Sequence, residues 1–282
     1  MTDTATAPTD PRDVLARYRR RREEAVTAPK GNLALVNTQW VTGDPNTPQP
    51  IWGVPGSWSP LPAGQSGLKV TATAEDGIVV DGTLVDGEAI VRGKDDPAPS
   101  EIVFSDTVTG FVIASAEGEY ALRVWDANSE AIQQFGSIDA FDFNPDWIIT
   151  AAFTPIEGGK SVGFEHLKDE GKTRDMVVPG EITFTKDGID YNLAAFKSGR
   201  ALQLVFADST NGDSTYSVGR FLFVAPNPDG TVTLDFNLAV LPPCAFSYNF
   251  NCPLPPAQNR FSVPIEAGEK NVLDKSGALL HG

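Results

Sequence analysis

The chain holds two cysteines, Cys244 and Cys252, and both lie in one proline-rich run, LPPCAFSYNFNCPLPPAQNRF (residues 241–261). Two thiols so placed can form a disulfide, pack as small apolar groups, act as a redox couple or hold a metal. Proline fixes its own φ and restricts the preceding residue to extended conformations. The segments LPPCAF and NCPLPP are therefore expected as two stiff extended arms joined by a turn over residues 247–251, with the thiols at similar heights. The gap between the cysteines is longer than the short chelate spacing of zinc sites, so no metal site is assigned.

Polar residues set in apolar runs are the second source of chemistry. Arg123 and Asp126 flank Trp125 in YALRVWD, with Arg123 on the Trp125 face of a strand. Asp208, Thr210, Tyr216 and Arg220 follow in FADSTNGDSTYSVGRF, and Asp235 and Asn237 share a face of LDFN. Burying such groups unpaired is costly, so they must meet one another or a ligand. One reading is an arginine–carboxylate network that ties loops to a sheet. The other is a polar pocket for a small anionic or hydroxylated molecule, with arginine as the bidentate donor.

Other patterns carry less. Gly159-Lys160-Ser161-Val162-Gly163 matches a nucleophile elbow, and Gly-Lys-Ser matches the end of a phosphate loop. Both motifs require a helix after the turn, and here a strand follows. The two histidines, His166 and His281, are far apart in sequence, and His166 reads as a strand residue with a hydrogen-bond partner. No cofactor-binding motif is visible.

The elements that must position these residues are mostly strands. Pro11 to about residue 29 reads as a helix with Asp10 as N-cap, after a disordered tail over 1–10. Its basic cluster, Arg17 and Arg19 to Arg22, reads as a solvated face that pairs with Glu23, Glu24 or the acidic body. Beyond it, Gly, Pro, Asp and Asn recur between β-branched and aromatic segments: 68–74, 77–82, 88–93, 109–116, 120–126, 146–153, 161–167, 174–187, 189–196, 201–208, 219–225 and 231–239. Asp76-Gly77, Asp187-Gly188 and Asp229-Gly230 suit tight hairpins. The fold class is all-β, an antiparallel sandwich or partial barrel built as two packed β subdomains with one N-terminal helix. The subdomains are expected over 30–128 and 129–275, with a tail over 276–282.

The net charge of −15 disfavours nucleic acid as a partner. No apolar run is long enough to span a bilayer, and no signal core opens the sequence, so the expected location is cytoplasmic and no membrane partner is assigned.

The ordered set YALRVWD, FADSTNGDSTYSVGRFL, LDFNLAVLPPCAFSYNFNCPLPPAQNRF and IEAGEK resembles one family of bacterial proteins, catalogued as domain of unknown function 1684 (DUF1684). The resemblance runs from about residue 31 to 272 and is strongest between 201 and 270. It implies no established activity. It marks Arg220, Asp235, Asn237, Cys244, Cys252, Asn259, Glu266, Glu269 and Lys270 as positions that match the family pattern. Glu269 and Lys270 are most simply an anchoring ion pair. Leu238 stands where the family commonly has a basic residue, and Val240 and Leu241 where it has Tyr-Asn.

Three functions follow as expectations. The first is binding of a small polar or anionic molecule beside the proline loop, by Arg123, Asp208, Tyr216, Arg220, Asp235, Asn237 and Asn259. The second is a cofactor-independent hydrolase or isomerase that uses Asp235, Cys244 or Glu266. The third is a structural or partner-binding protein whose polar cluster only pins the fold.

Overall fold

A computed structural model describes residues 10–281. The tail expected over 1–10 lies outside the described residues except for Asp10. The chain is mostly β, with antiparallel sheets and one long helix, α1, at Pro11–Val26. It divides into two compact units between Gln134 and Phe135: residues 24–134, and residues 135–282 together with the chain up to Glu23.

The unit over 24–134 contains β1 (Leu35–Val41), β2 (Gln49–Pro50), β3 (Ser57–Pro60), β4 (Leu68–Ala72), β5 (Val79–Val80), β6 (Thr83–Leu84), β7 (Gly87–Val91), β8 (Ile102–Val103), β9 (Val108–Ala114) and β10 (Tyr120–Asp126), closed by a short helix, α2 (Glu130–Gln134). They form a six-stranded sheet, β1-β10-β9-β8-β5-β6, and a four-stranded sheet, β2-β3-β4-β7. The core gathers around Trp58, which meets Phe104 edge-on at 6.1 Å. Asp76-Gly77 does not make a hairpin here. Gly77 caps a 3-10 turn that Thr73 and Asp76 close with reciprocal hydrogen bonds.

The other unit is built on β11 (Phe135–Ala140), β12 (Ile148–Glu165), β13 (Thr173–Lys186), β14 (Ile189–Ser198), β15 (Ala201–Phe206), β16 (Arg220–Val224), β17 (Thr231–Asp235) and β18 (Glu269–Asp274). Six of them form a half-barrel in the order β16-β15-β14-β13-β12-β17, while β11 and β18 make a separate ribbon. The two strands expected over 146–153 and 161–167 are one long strand, β12, whose register slips between Pro155 and Lys160. Gly159-Lys160-Ser161 therefore sits inside that strand. Asp187-Gly188 does make the expected two-residue turn: both have positive φ, at 52° and 78°, which suits the twist of the flanking strands.

This sheet is covered on both faces. Successive residues of β14 alternate between two buried clusters: Leu193 and Ala195 join one, with Leu204, Phe206, Leu234 and Phe236; Ala194 and Phe196 join the other, with Val205, Phe221, Cys244 and Cys252. That explains why LAAF is apolar at every position and not at alternate ones.

Candidate functional site

Arg220 opens β16 and is wholly buried. Its Nη2 donates to Asp208 Oδ2 at 2.7 Å and to the Ile265 carbonyl at 2.8 Å. Its Nη1 donates to the carbonyls of Ala267 and Glu269. The guanidinium also lies over the rings of Phe206 and Phe141, 5.2 and 5.8 Å from their centroids. Burial lowers its pKa, and the Asp208 carboxylate, followed by Glu269, opposes that shift. Asp208 is equally engaged: its Oδ1 accepts from the Thr210 backbone and hydroxyl and from Ile265 N. Only Nε of the Arg220 side chain lacks a partner. The preceding Gly219 has φ 109°, and a Cβ there would lie 2.5 Å from the Phe206 carbonyl oxygen, so glycine is required for β16 to start at this point.

The two asparagines are backbone clamps. Asn237 accepts from Asn144 N at 2.7 Å and donates to Asn144 O at 2.9 Å. It is held by Asp235, whose Oδ1 accepts from both the backbone N and Nδ2 of Asn237 and caps a 3-10 turn. That cap ends β17 at Asp235, four residues short of the strand expected over 231–239. Asn259 accepts from Ala194 N and donates to the carbonyls of Ala194 and Val205. The β14–β15 ladder stops at Ala195 and Leu204, and the Asn259 amide takes the bonds of the next pair.

The expected Glu269–Lys270 ion pair is not formed. Adjacent strand residues face opposite ways, and each finds its own partner. Glu269 takes a forked pair from Arg22 of α1, at 2.8 and 3.2 Å, and accepts from Leu241 N at 2.7 Å. Lys270 pairs with Asp139 at 2.7 Å. The basic face of α1 is thus partly committed to the body, and Arg19 donates to the Phe141 carbonyl.

The proline loop departs from two extended arms. Residues Pro243–Ala245 and Ala257–Asn259 are 3-10 turns, and the described residues contain no cis peptide. Folding the chain back at Pro243 lets Cys244 N donate to Cys252 Sγ at 3.2 Å. Both cysteines are buried thiols that are not joined in a disulfide. The Cys252 thiol and the Tyr216 hydroxyl hydrogen-bond to Cys244, and these contacts hold its pKa below the usual thiol range against the upward pull of burial. Burial first, and then Cys244, push the Tyr216 hydroxyl strongly up. Leu238, Val240 and Leu241, which depart from the family pattern, pack against or lie within the core.

The three proposed catalytic groups have different settings: Cys244 is buried, Asp235 is half-buried and serves as a cap, and Glu266 is exposed. No hydrogen bond links them. Arg123 lies in the other unit, on β10 opposite Phe111 and Thr38. His166 follows the end of β12, with Nδ1 3.2 Å from the Phe164 carbonyl, and burial lowers its pKa. Among the described residues no group of three His, Cys, Asp or Glu could hold a metal.

One cavity of the structure was not assigned from the sequence. It is a groove of about 320 Å³ on the β13–β14 hairpin, lined by Thr183, Phe184, Thr185, Asp190, Tyr191 and Asn192. Phe184 and Tyr191 are a cross-strand pair stacked at 4.8 Å, and Tyr191 stacks in turn on Phe261 at 4.8 Å. Gln258 donates to the Asn192 carbonyl, so the end of the proline segment borders the groove. Burial and then Asp187 raise the Tyr191 pKa, so its hydroxyl stays protonated at neutral pH. A hairpin signal at Asp187-Gly188 with aromatic residues three positions to either side was the trace of this groove in the sequence.

No curated protein matches the chain. A solution NMR structure of an uncharacterised protein of Haloarcula marismortui is 35% identical, over 48% of this chain and 77% of that one, with a TM-score of 0.40. Residues 133–270 match a family described as a protein of unknown function, DUF1684. The match starts well after residue 31, where the sequence resemblance was expected to begin, and it covers the half-barrel, the Arg220–Asp208 pair and the proline loop. Over these residues the chain belongs to the DUF1684 family.

Proposed function

We propose that the protein binds a small molecule, without transforming it, in the groove on the β13–β14 hairpin. The observation that carries this reading is the groove itself, lined by three cross-strand pairs, Thr183 with Asn192, Phe184 with Tyr191 and Thr185 with Asp190, of which the middle pair faces the core side of the sheet. Its volume is of the order of small-ligand sites, about 300 Å³ and upward. The residues first considered for binding do not fit as well, because Asp208, Arg220, Asn237 and Asn259 spend their hydrogen bonds on one another and on backbone. The ligand chemistry changes accordingly. The lining contains no basic residue and one carboxylate, so a planar neutral or cationic molecule with hydrogen-bonding groups suits it better than an anion. Against catalysis stands the separation of Asp235, Cys244 and Glu266 into different settings. The cytoplasmic location expected from the sequence is part of this proposal, and cell fractionation checks it.

The test is a titration of the full chain with small aromatic cations, neutral analogues and carboxylates, followed by NMR shifts of the Tyr191 ring. Binding of cations and neutral analogues in the range of about 10 μM to 1 mM is expected, with loss in Tyr191→Ala. If only the carboxylates bind, or if nothing perturbs the ring at millimolar concentration, the groove is not the site. The second reading, a protein whose motifs only pin its fold, would then stand on the mutual pairing of the Arg220 cluster.

A further inference from the structure

Cys244 and Cys252 are brought together by two features distant in sequence. The turn at Pro243–Ala245 aims Cys244 N at Cys252 Sγ, and the chain at Cys252 is fixed by the bond from Leu167 N to its carbonyl. Tyr216 reaches Cys244 from the loop before β16, where its own N donates to the Lys270 carbonyl and its carbonyl accepts from Asn211. The remainder of the setting is apolar, with Phe164, Phe196, Val205 and Phe221 in the same cluster. A packed, otherwise apolar cluster that brings two thiols and one phenol together holds more polar chemistry than packing alone requires.

We propose that Cys244 and Cys252 form an oxidisable dithiol, with Cys244 the attacking sulfur, Cys252 the resolving one, and a hydroperoxide as the oxidant. This site is independent of the groove on β13 and β14, and either proposal can fail without the other. The Cys244 thiolate attacks the hydroperoxide oxygen and the O–O bond breaks. Cys244 becomes a sulfenic acid, and the alcohol, or water from hydrogen peroxide, leaves with a proton. The Cys252 thiol then attacks the sulfenic sulfur, the S–S bond forms, and water leaves with the thiol proton. Two electrons pass from the pair of thiols to one hydroperoxide.

The two sulfurs are brought together by the bond from Cys244 N to Cys252 Sγ. The order of attack is part of the proposal, and it is supported by the Cys252 thiol and the Tyr216 hydroxyl, which lower the Cys244 pKa against burial. Tyr216 is a positioning residue, since it acts on the sulfur and not on the oxidant. Burial makes the reaction selective for small oxidants, as Cys244 is 1% and Cys252 4% exposed. The titratable groups that act on this site are Tyr216, Lys168 and Tyr248.

The test treats the reduced full chain with hydrogen peroxide, quenches with an alkylating agent, and maps the peptides by mass. The expected product is an intramolecular Cys244–Cys252 crosslink that a dithiol reductant reverses. In Cys252→Ser the expected product is a sulfenic acid on Cys244, trapped by a carbon-acid probe. In Tyr216→Phe the crosslink should form about tenfold more slowly near neutral pH, and its pH–rate profile should move upward. A merely structural role for Tyr216 would lower the melting temperature and leave that profile in place. The proposal is overturned if both thiols remain alkylatable on unfolding after treatment that oxidises glutathione. It is also overturned if the sulfenic acid appears on Cys252 in Cys244→Ser and never on Cys244 in Cys252→Ser.

Discussion

The polar residues of this protein are best understood by where their hydrogen bonds end. Arg220 meets one carboxylate and three backbone carbonyls, with no exposed surface. A buried pair of this kind is weak evidence for stability as a pair, but breaking it leaves an uncompensated charge. Arg220→Met should therefore destabilise the fold by about 3–5 kcal/mol in urea denaturation. The combined Asp208→Asn and Arg220→Met change should cost less than the sum of the single changes, because the stranded carboxylate is gone. Arg220→Lys should not rescue, since one ammonium cannot replace a fork that serves four acceptors. A loss below about 1 kcal/mol for Arg220→Met would show that this network does not hold the β16 end of the sheet. Part of this was legible in the sequence: a charge inside GRFLFV had to have a partner, and Asp208 was one of the candidates. The other partners were not, because the carbonyls of Ile265, Ala267 and Glu269 carry no side-chain signature. The groove was hidden for a related reason. Tyr191 and Phe261 meet only after folding, so neither marked a cavity when read alone.

At the scale of elements, the readable strands were those with local punctuation. β13 and β14 were bounded by the Asp187-Gly188 turn and matched their expected ranges within a few residues. β10 matched its expected range at both ends. The ribbon of β11 and β18 was not legible, since it pairs Phe135 with Asp274 and no nearby turn announces it. The short pairs β5–β6 and β2–β3 carry too few residues for a period to show. Helix α1 was legible as a helix, but its partner was not. Arg22 fixes Glu269 at the start of β18, and Glu269 in turn holds Leu241 N of the proline loop. Arg22→Ala should thus cost about 3 kcal/mol, because Glu269 is only 4% exposed and loses its ion-pair partner. Glu269→Gln in the Arg22→Ala background should recover part of that loss, by removing the buried charge. Equal melting temperatures for Arg22→Ala and the parent chain would place α1 outside the cooperative fold.

At the scale of the whole molecule, chain order and unit membership differ. The unit that holds the DUF1684 motifs takes its helix from before residue 24 and its strands from after residue 134, so the segment between is an insertion in sequence. The net charge of −15 belongs to the entire chain, and it sets a field that every ligand must enter. A cation approaching the groove at Asp190 is drawn by that field as well as by the nearest carboxylate, whereas a neutral analogue is drawn by neither. Salt separates the two, because the screening length falls to about 10 Å at 0.1 M and shortens further above it. Raising ionic strength from about 20 mM to about 200 mM should weaken a cationic aromatic ligand by about threefold or more, mainly through its association rate. A neutral analogue of the same ring should keep its affinity, since its contacts with the groove involve no charge on the ligand. A cation whose affinity and association rate were indifferent to salt would owe nothing to the acidic field. Its affinity would then have to come from uncharged contacts within the groove alone.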